Sequence, residues 1–290
     1  MKKILGILVL FFTLSLSFSF ADNSEIFSKV DHNYNKIVQI GNYTFNYKTD
    51  LFKVFDKTGK KQLITVYKGD FNYPTAFFVS DKYVYYTKYK DGKNALFMQI
   101  DLATKKTKAV KQYKHFASIS AVKGSDIYYE IDSKKNKDEM YVPQLKVLNL
   151  KTGKEKSVAI NATNVNLGKN SLFYMAQTYD VSATTLHSIT YDYKNPKLIS
   201  NTAFSYEIIG IKVYYAQATP EYSSNGDITK QILYVCSEDG SNKKALTGVI
   251  NGYITKITAD YVEFMSENQS KYYRMNLKTK KTIELKPSDR

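Results

Sequence analysis

The feature that most narrows what this chain can fold into is a unit that returns six times. In QILYVCSEDGSNKKALTG, Gln231 to Gly248, an alternating run is followed by a turn on Asp239 and Gly240 and a short second run. Leu233, Val235 and Ser237 fall on one side of an extended chain, and Ile232, Tyr234 and Cys236 on the other, because side chains alternate across a strand. Both sides are mostly apolar, so the strand is expected to be covered on both faces, as inside stacked sheets. Asp-Gly-Ser-Asn supplies residues that tolerate positive φ where a hairpin reverses. The same grammar returns as LFKVFDKTGKKQL from Leu51, LFMQIDLATKKTKAV from Leu96, LKVLNLKTGKEKSVA from Leu145, HSITYDYKNPKLIS from His187 and YRMNLKTKKTIEL from Tyr273.

Upstream of each copy stands a turn and an aromatic strand: GNYTFNY, SDKYVYY, KGSDIYY, GKNSLFY, IGIKVYY and TADYVEF. Aligned on Asn46, Tyr86, Tyr129, Tyr174, Tyr215 and Phe264, the copies are spaced by 40, 43, 45, 41 and 49 residues. Periods of this length, with several strands per copy, mark propeller blades. An inner strand (Thr75 to Val79, Ala117 to Val122 and Tyr253 to Ile257 are examples) completes a blade of four. The expected fold is therefore all-β, a six-bladed β-propeller of four-stranded antiparallel blades. It is one domain over residues 28–287, with blades at about 28–70, 71–113, 114–162, 163–203, 204–249 and 250–287. Adjacent aromatics (Tyr85 and Tyr86, Tyr128 and Tyr129, Phe173 and Tyr174, Tyr214 and Tyr215) point to opposite faces and should reach both neighbouring blades. Rings that each bury roughly 150 to 250 Å² suit the wedge between splayed sheets. A stacking platform for sugars or bases would need a one-sided display instead.

Residues 1–21 read as a secretory leader, with Lys2 and Lys3, the apolar run Ile4 to Leu14, and the small-x-small site Ser19-Phe20-Ala21. Cleavage after Ala21 would start the mature chain at Asp22. The run is too short to span a bilayer, no cysteine follows it for lipid attachment, and no later stretch is long and apolar enough to cross a membrane. Localisation is expected to be secreted or extracytoplasmic. The one cysteine, Cys236, lies mid-strand in the apolar pattern, which excludes an intramolecular disulfide and makes the thiol a small core hydrophobe.

YVCSEDGSNKKALT, and more loosely YRMNLKTKKTIEL, resemble the repeat of the TolB-type six-bladed propellers, an apolar strand followed by D-G-S/T-x-x-x-x-L-T. The resemblance spans about Ser28 to Lys286. It is close only in the fifth copy, since the other turns carry Thr58-Gly59, Thr104-Lys105, Thr152-Gly153, Asn195-Pro196 and Thr279-Lys280. It implies a binding scaffold outside the cytoplasm, or a gating domain of the kind fused to serine peptidases. Neither the α/β domain of the envelope protein that names the family nor a hydrolase domain is found in this sequence.

Motifs for chemistry are sparse. There is no G-x-S-x-G elbow, no glycine-rich phosphate loop, and no D-x-D-x-D-G pattern in Asp132 to Glu139, which reads as a solvated loop. His32, His115 and His187 are scattered in the repeat frame and read as ordinary surface or strand residues. No catalytic, cofactor-binding or metal-binding residue is singled out, no cofactor is expected, and the binding residues stay open. A carboxylate pair gathered at the central channel from distant blades would leave no local motif, so a glycan hydrolase or lyase is the alternative reading.

Charge supplies the strongest bias. The chain carries a formal +15, or +13 once the two leader lysines are subtracted, and Arg274 and Arg290 are its only arginines. Specific phosphate and base recognition favours the arginine fork, so no specific nucleic acid is expected. Diffuse lysine suits loose attraction to polyanions. The lysines crowd the turns between third and fourth strands: Lys57, Lys60, Lys61, Lys105, Lys106, Lys151, Lys154, Lys194, Lys197, Lys243, Lys244, Lys278, Lys280 and Lys281. These turns should share one face near its perimeter. The longer loops (Lys88 to Asn94, Lys134 to Pro143, Gln177 to Thr185, Thr219 to Lys230) should share the other and carry the site. The same lysines could simply keep outer strands from pairing with other chains. The expected function is a monomeric, secreted, non-catalytic module that binds an extracellular or envelope protein or a polyanionic polymer.

Overall fold

A computed structural model describes residues 25–31, 37–48, 51–67, 76–90, 94–135, 141–177, 184–219 and 230–286. Among them there is no helix. After β1 (Ser28–Asp31) come β2 (Ile37–Ile40), β3 (Tyr43–Lys48), β4 (Leu51–Asp56) and β5 (Gln62–Tyr67), then β6 (Ala76–Val79), β7 (Tyr83–Lys90), β8 (Asn94–Asp101) and β9 (Thr107–Tyr113). The third repeat is β10 (Ala117–Lys123), β11 (Asp126–Lys135), β12 (Tyr141–Asn149) and β13 (Glu155–Ile160). Next stand β14 (Ala162–Leu167), β15 (Ser171–Gln177), β16 (Thr184–Thr190) and β17 (Lys197–Ile209), followed by β18 (Lys212–Ala218), β19 (Lys230–Ser237) and β20 (Lys244–Ala245). The last repeat is β21 (Ile250–Ile257), β22 (Tyr261–Ser266), β23 (Tyr272–Asn276) and β24 (Thr282–Leu285).

Hydrogen bonding joins neighbours in the order the repeat demands, as β2-β3-β4-β5, β1-β6-β7-β8-β9, β10-β11-β12-β13, and one longer path from β14 to β24. Every pairing is antiparallel. The long path still divides by repeat. β17 serves twice, pairing with β16 through Lys197 to Ala203 and with β18 through Ala203 to Ile209. β19 meets β21 at only two positions, Lys230 opposite Asn251 and Gln231 opposite Ile250.

Apolar clusters fill the seams between consecutive repeats, and the aromatic pairs are divided between them. Tyr86 packs with Phe45 between repeats one and two, and Tyr85 with Tyr129 between two and three. Tyr128 joins Tyr174 in the next seam, Phe173 joins Tyr215 in the one after, and Tyr214 joins Phe264 between five and six. The period of two in the sequence thus becomes a division of labour between faces. Each fully buried ring contributes roughly 1.5 to 3 kcal/mol relative to an exposed one. Cys236 lies in the fourth-to-fifth seam at 2% exposure, where burial pushes its thiol up to about 11.

The ends behave differently. Alternation puts Asn46 and Glu263 where interior repeats have a second aromatic, and among the described residues no apolar cluster joins the first repeat to the sixth. Glu263 instead accepts from the Nε and Nη2 of Arg274 at 2.9 and 2.6 Å, and that guanidinium lies 4.5 Å from the Tyr261 ring centre.

The repeat spacing puts Ser28 in the first repeat, whereas β1 adds to the edge of β6 in the second. Val30 packs in the first seam and Phe27 in the second. The Phe27 N–H donates to the Val122 carbonyl at 3.0 Å and the Gly124 N–H to that of Glu25 at 2.7 Å. Residues 25–31 therefore strap the first strands of repeats two and three.

Candidate functional site

Two regions could meet a ligand, the lysine-bearing turns and a cavity among the first strands. Each turn carries an Asp or Asn at the end of the third strand or two residues past it, and its side chain caps the reversal. Asp56 Oδ1 accepts from the Lys60 N–H at 3.2 Å and Asp101 Oδ1 from the Thr104 N–H at 2.8 Å. Asn149 and Asn276 do the same for Thr152 and Thr279, at 3.0 and 2.8 Å, as do Asp192 for Lys194 at 3.3 Å and Asp239 for Ser241 at 3.0 Å. These are Asx turns, in which a short side chain replaces a backbone acceptor. Hydroxyl donation from Thr58, Thr190 and Ser241 and nearby backbone N–H groups hold the carboxyls of Asp56, Asp192 and Asp239 below the ordinary range.

All fourteen lysines named for these turns are exposed. The capping carboxylates are engaged within their own turns while the lysines stand exposed, so the turns present positive charge although their sequence mixes signs. In five of the six turns the capping role is readable as an Asp or Asn two or three residues before a Thr or Ser, a signal the lysine run obscures; in the fourth the hydroxyl comes from Thr190, before Asp192.

The cavity, of about 150 Å³, is lined by Ile26, Phe27 and Lys29 of the strap and by first-strand residues of repeats two to five, including Phe78, Ser120, Asn166 and Glu207. Beside it Glu130, half-buried on β11, accepts from the Ser120 hydroxyl at 3.0 Å. Burial raises its carboxyl above the ordinary range, against the pull of Ser120, the Asn164 N–H and the charge of Lys29. Ser120 occupies a bulge where the β10–β11 register slips between Ile119 and Ala121, and a bulge re-aims a side chain out of the regular alternation. Sequence reasoning had no means to find Glu130, because the bulge and the cavity are both tertiary.

Asp132 is half-buried, which corrects its reading as part of a solvated loop. Burial raises its carboxyl, with His115 opposing. His187 stacks on Tyr174 at 5.3 Å, and burial lowers its basicity. His32 lies outside the described residues, as do 91–93, 136–140, 178–183 and 220–229, the centres of the four long loops expected to carry a site. Among the described residues no three His, Cys, Asp or Glu side chains come together as a metal would require. No helix among them is long and apolar enough to cross a membrane.

No protein-family model matches this sequence, and neither does any curated protein. Solved β-propellers do match in structure. An oligogalacturonate lyase in complex with manganese is 13% identical, with a TM-score of 0.58 over 83% of this chain and 72% of that one. An oligogalacturonate lyase from Vibrio parahaemolyticus is 12% identical, with a TM-score of 0.60 over 90% and 79%. The β-propeller domain of the Trilobed protease from Pyrococcus furiosus, reported with an open velcro topology, is 14% identical, with a TM-score of 0.53 over 76% and 72%. At these identities the likeness shows the fold alone, an antiparallel all-β propeller.

Proposed function

We propose that this chain is a secreted, TolB-like propeller of six blades that binds a polyanionic polymer of the envelope or medium through its basic rim, without catalysing a reaction. The observation that carries the reading is the arrangement of charge on the third-to-fourth strand turns, where lysines are exposed in every repeat while the Asp side chains are occupied as caps. A surface of this kind attracts polyanions by a field that salt screens within about 8 to 10 Å. The test is binding of the chain from Asp22 onward to polygalacturonate, with neutral dextran as the control, at low and high salt. Affinity for the polyanion alone, falling steeply with salt, is expected. Equal affinity for dextran, or indifference to salt, sinks the reading, and recovery of a specific protein from an envelope fraction under those conditions replaces the polymer with a protein partner.

A second reading, a glycan lyase or hydrolase, is favoured by Glu130, a carboxylate whose affinity for its proton is raised by burial beside a cavity of mixed apolar and polar lining, as in acid–base sites. Two of the similar structures are lyases of oligogalacturonate. Incubation with polygalacturonate, followed by ultraviolet absorbance for unsaturated ends and by reducing-end assay, decides it. Turnover that Glu130→Gln abolishes would establish the enzyme.

A further inference from the structure

The lysines are not equivalent. Several are committed to the fold, often across a seam. Lys111 pairs with Glu155 at 2.8 Å, Lys123 sits 3.2 Å from the Tyr191 ring centre, and Lys156 lies 4.7 Å from that of Tyr193. Lys243 lies 4.6 Å from the centre of Tyr234, and Lys280 Nζ donates to the Leu246 carbonyl at 2.5 Å.

Four others share one local construction. The N–H groups of Lys60, Lys106, Lys154 and Lys281 each donate to the hydroxyl of a threonine two residues back, Thr58, Thr104, Thr152 and Thr279, at 3.3, 3.4, 3.3 and 3.4 Å. The residue just before each lysine has positive φ: Gly59 at 71°, Lys105 at 58°, Gly153 at 68° and Lys280 at 62°. The carbonyls of Lys106, Lys154 and Lys281 accept from the capping residue, Asp101, Asn149 and Asn276, at 2.9, 2.9 and 3.0 Å. In the first repeat, where the turn is one residue shorter before its threonine, the Lys61 carbonyl takes that place. Lys106, Lys154 and Lys281 thus close their turns alike, Lys60 shares with them the threonine bond and the positive-φ neighbour, and all four lysines are exposed. Repeats four and five break the pattern. After their positive-φ residues Asn195 and Asn242 they carry Pro196 and the ring-stacked Lys243.

We infer that Lys60, Lys106, Lys154 and Lys281 form a ladder of one lysine per repeat that reads a linear polyanion along the arc of repeats six, one, two and three. The inference rests on the basic-rim reading and on six repeats closing a ring, which makes those four consecutive. A lone exposed lysine holds one anionic group weakly in water. A chain that carries a carboxylate or phosphate on every unit engages neighbouring lysines in turn, and each further contact is intramolecular. The ligand is therefore a polymer of regular charge, and a single sugar acid or inorganic phosphate is not enough.

The experiment compares the wild type with K60Q/K106Q/K154Q/K281Q and with a control, K57Q/K108Q/K194Q/K244Q, that removes the same four charges from exposed positions outside the ladder. Thermal melts check that both stay folded. Binding to galacturonate oligomers and to inorganic polyphosphates of graded length is measured at low salt, and the two series show whether carboxylate or phosphate is preferred. The wild type should bind more tightly as either oligomer lengthens. The ladder variant should lose ten-fold or more on long oligomers and most of its length dependence, and the control less than three-fold. Equal losses in the two variants overturn the ladder and leave the basic rim standing. If neither variant loses affinity, or the wild type binds no polyanion, the rim reading fails as well.

Discussion

The interior repeats and the two end repeats follow the same strand plan and differ in what their second strands show to the outside of the row. Repeats two to five carry two adjacent rings and bury one in each flanking seam, as Phe173 and Tyr174 do. The first repeat has Phe45 beside Asn46 and the last has Glu263 beside Phe264, so each buries one ring toward its inner neighbour and turns a polar group the other way. Packing rather than chain identity sets the choice: a wedge between sheets needs a large apolar filler, and a face without an apolar neighbour does not. In the proposed ring these two polar faces meet, and the first and last repeats are joined without a strand passing between them.

The sharpest test of this difference is truncation. Phe173→Ala, at a site with no solvent exposure, should cost about 3 to 5 kcal/mol in chemical denaturation, while Asn46→Ala, at a half-buried polar position, should cost about 1 kcal/mol or less. Comparable losses at the two sites would erase the distinction.

A smaller effect is expected at a polar link between interior repeats. Glu238, 7% exposed, accepts from the Lys169 and Asn170 N–H groups at 2.6 and 2.8 Å. A Cβ on Gly168 would stand 2.5 Å from the nearer carboxylate oxygen. Glu238→Ala should cost about 2 to 3 kcal/mol by stranding two donors. The equivalent cut at an end, Glu263→Ala, should cost about 1 kcal/mol or less, because the arginine it pairs with is 34% exposed.

Titration gives a third contrast. Because burial raises the Glu130 carboxyl in the folded chain, the native state holds that proton where the unfolded chain has released it, and stability falls as pH climbs above the ordinary value of 4.5. Glu130→Gln should flatten this part of the stability–pH curve and raise stability at neutral pH. A variant that melts lower at pH 7 would contradict the assignment. The smallest effect belongs to the turns: Lys105 holds φ at 58°, so Lys105→Gly should stabilise by up to about 1 kcal/mol, readable as a modest rise in melting temperature.

Much of the fold was legible because its signals are local. The six-fold grammar, the paired rings and the turns built on Asp239-Gly240 or Thr152-Gly153 each lie within about ten residues of sequence, and a strand's period of two says which side each ring takes. The polar partners Asn46 and Glu263 stood in plain view as the two places where the pair lapses. What escaped depends on distant contacts. SKVD, Ser28 to Asp31, has no feature that says it will pair with β6 rather than extend the first repeat. Glu238 reads as a surface turn residue in SEDG, since the N–H it binds belongs to Lys169, 69 residues upstream. Glu130 differs from other strand glutamates only through the bulge at Ser120 and the cavity beside it. The rim was visible as composition, but its division into structural and outward lysines follows from hydrogen bonds between repeats.

Whether the six repeats close a ring is best tested by comparing two spin-label distances in a Cys236→Ser background. One pair is placed at Lys106 and Lys154, equivalent turns of the adjacent second and third repeats, and the other at Lys281 and Lys60, the equivalent turns of the sixth and first. A closed ring predicts two narrow distributions with nearly the same mean. A 281–60 distance far longer than the 106–154 distance, or one spread broadly, would show an open arc and break the continuity of the lysine ladder.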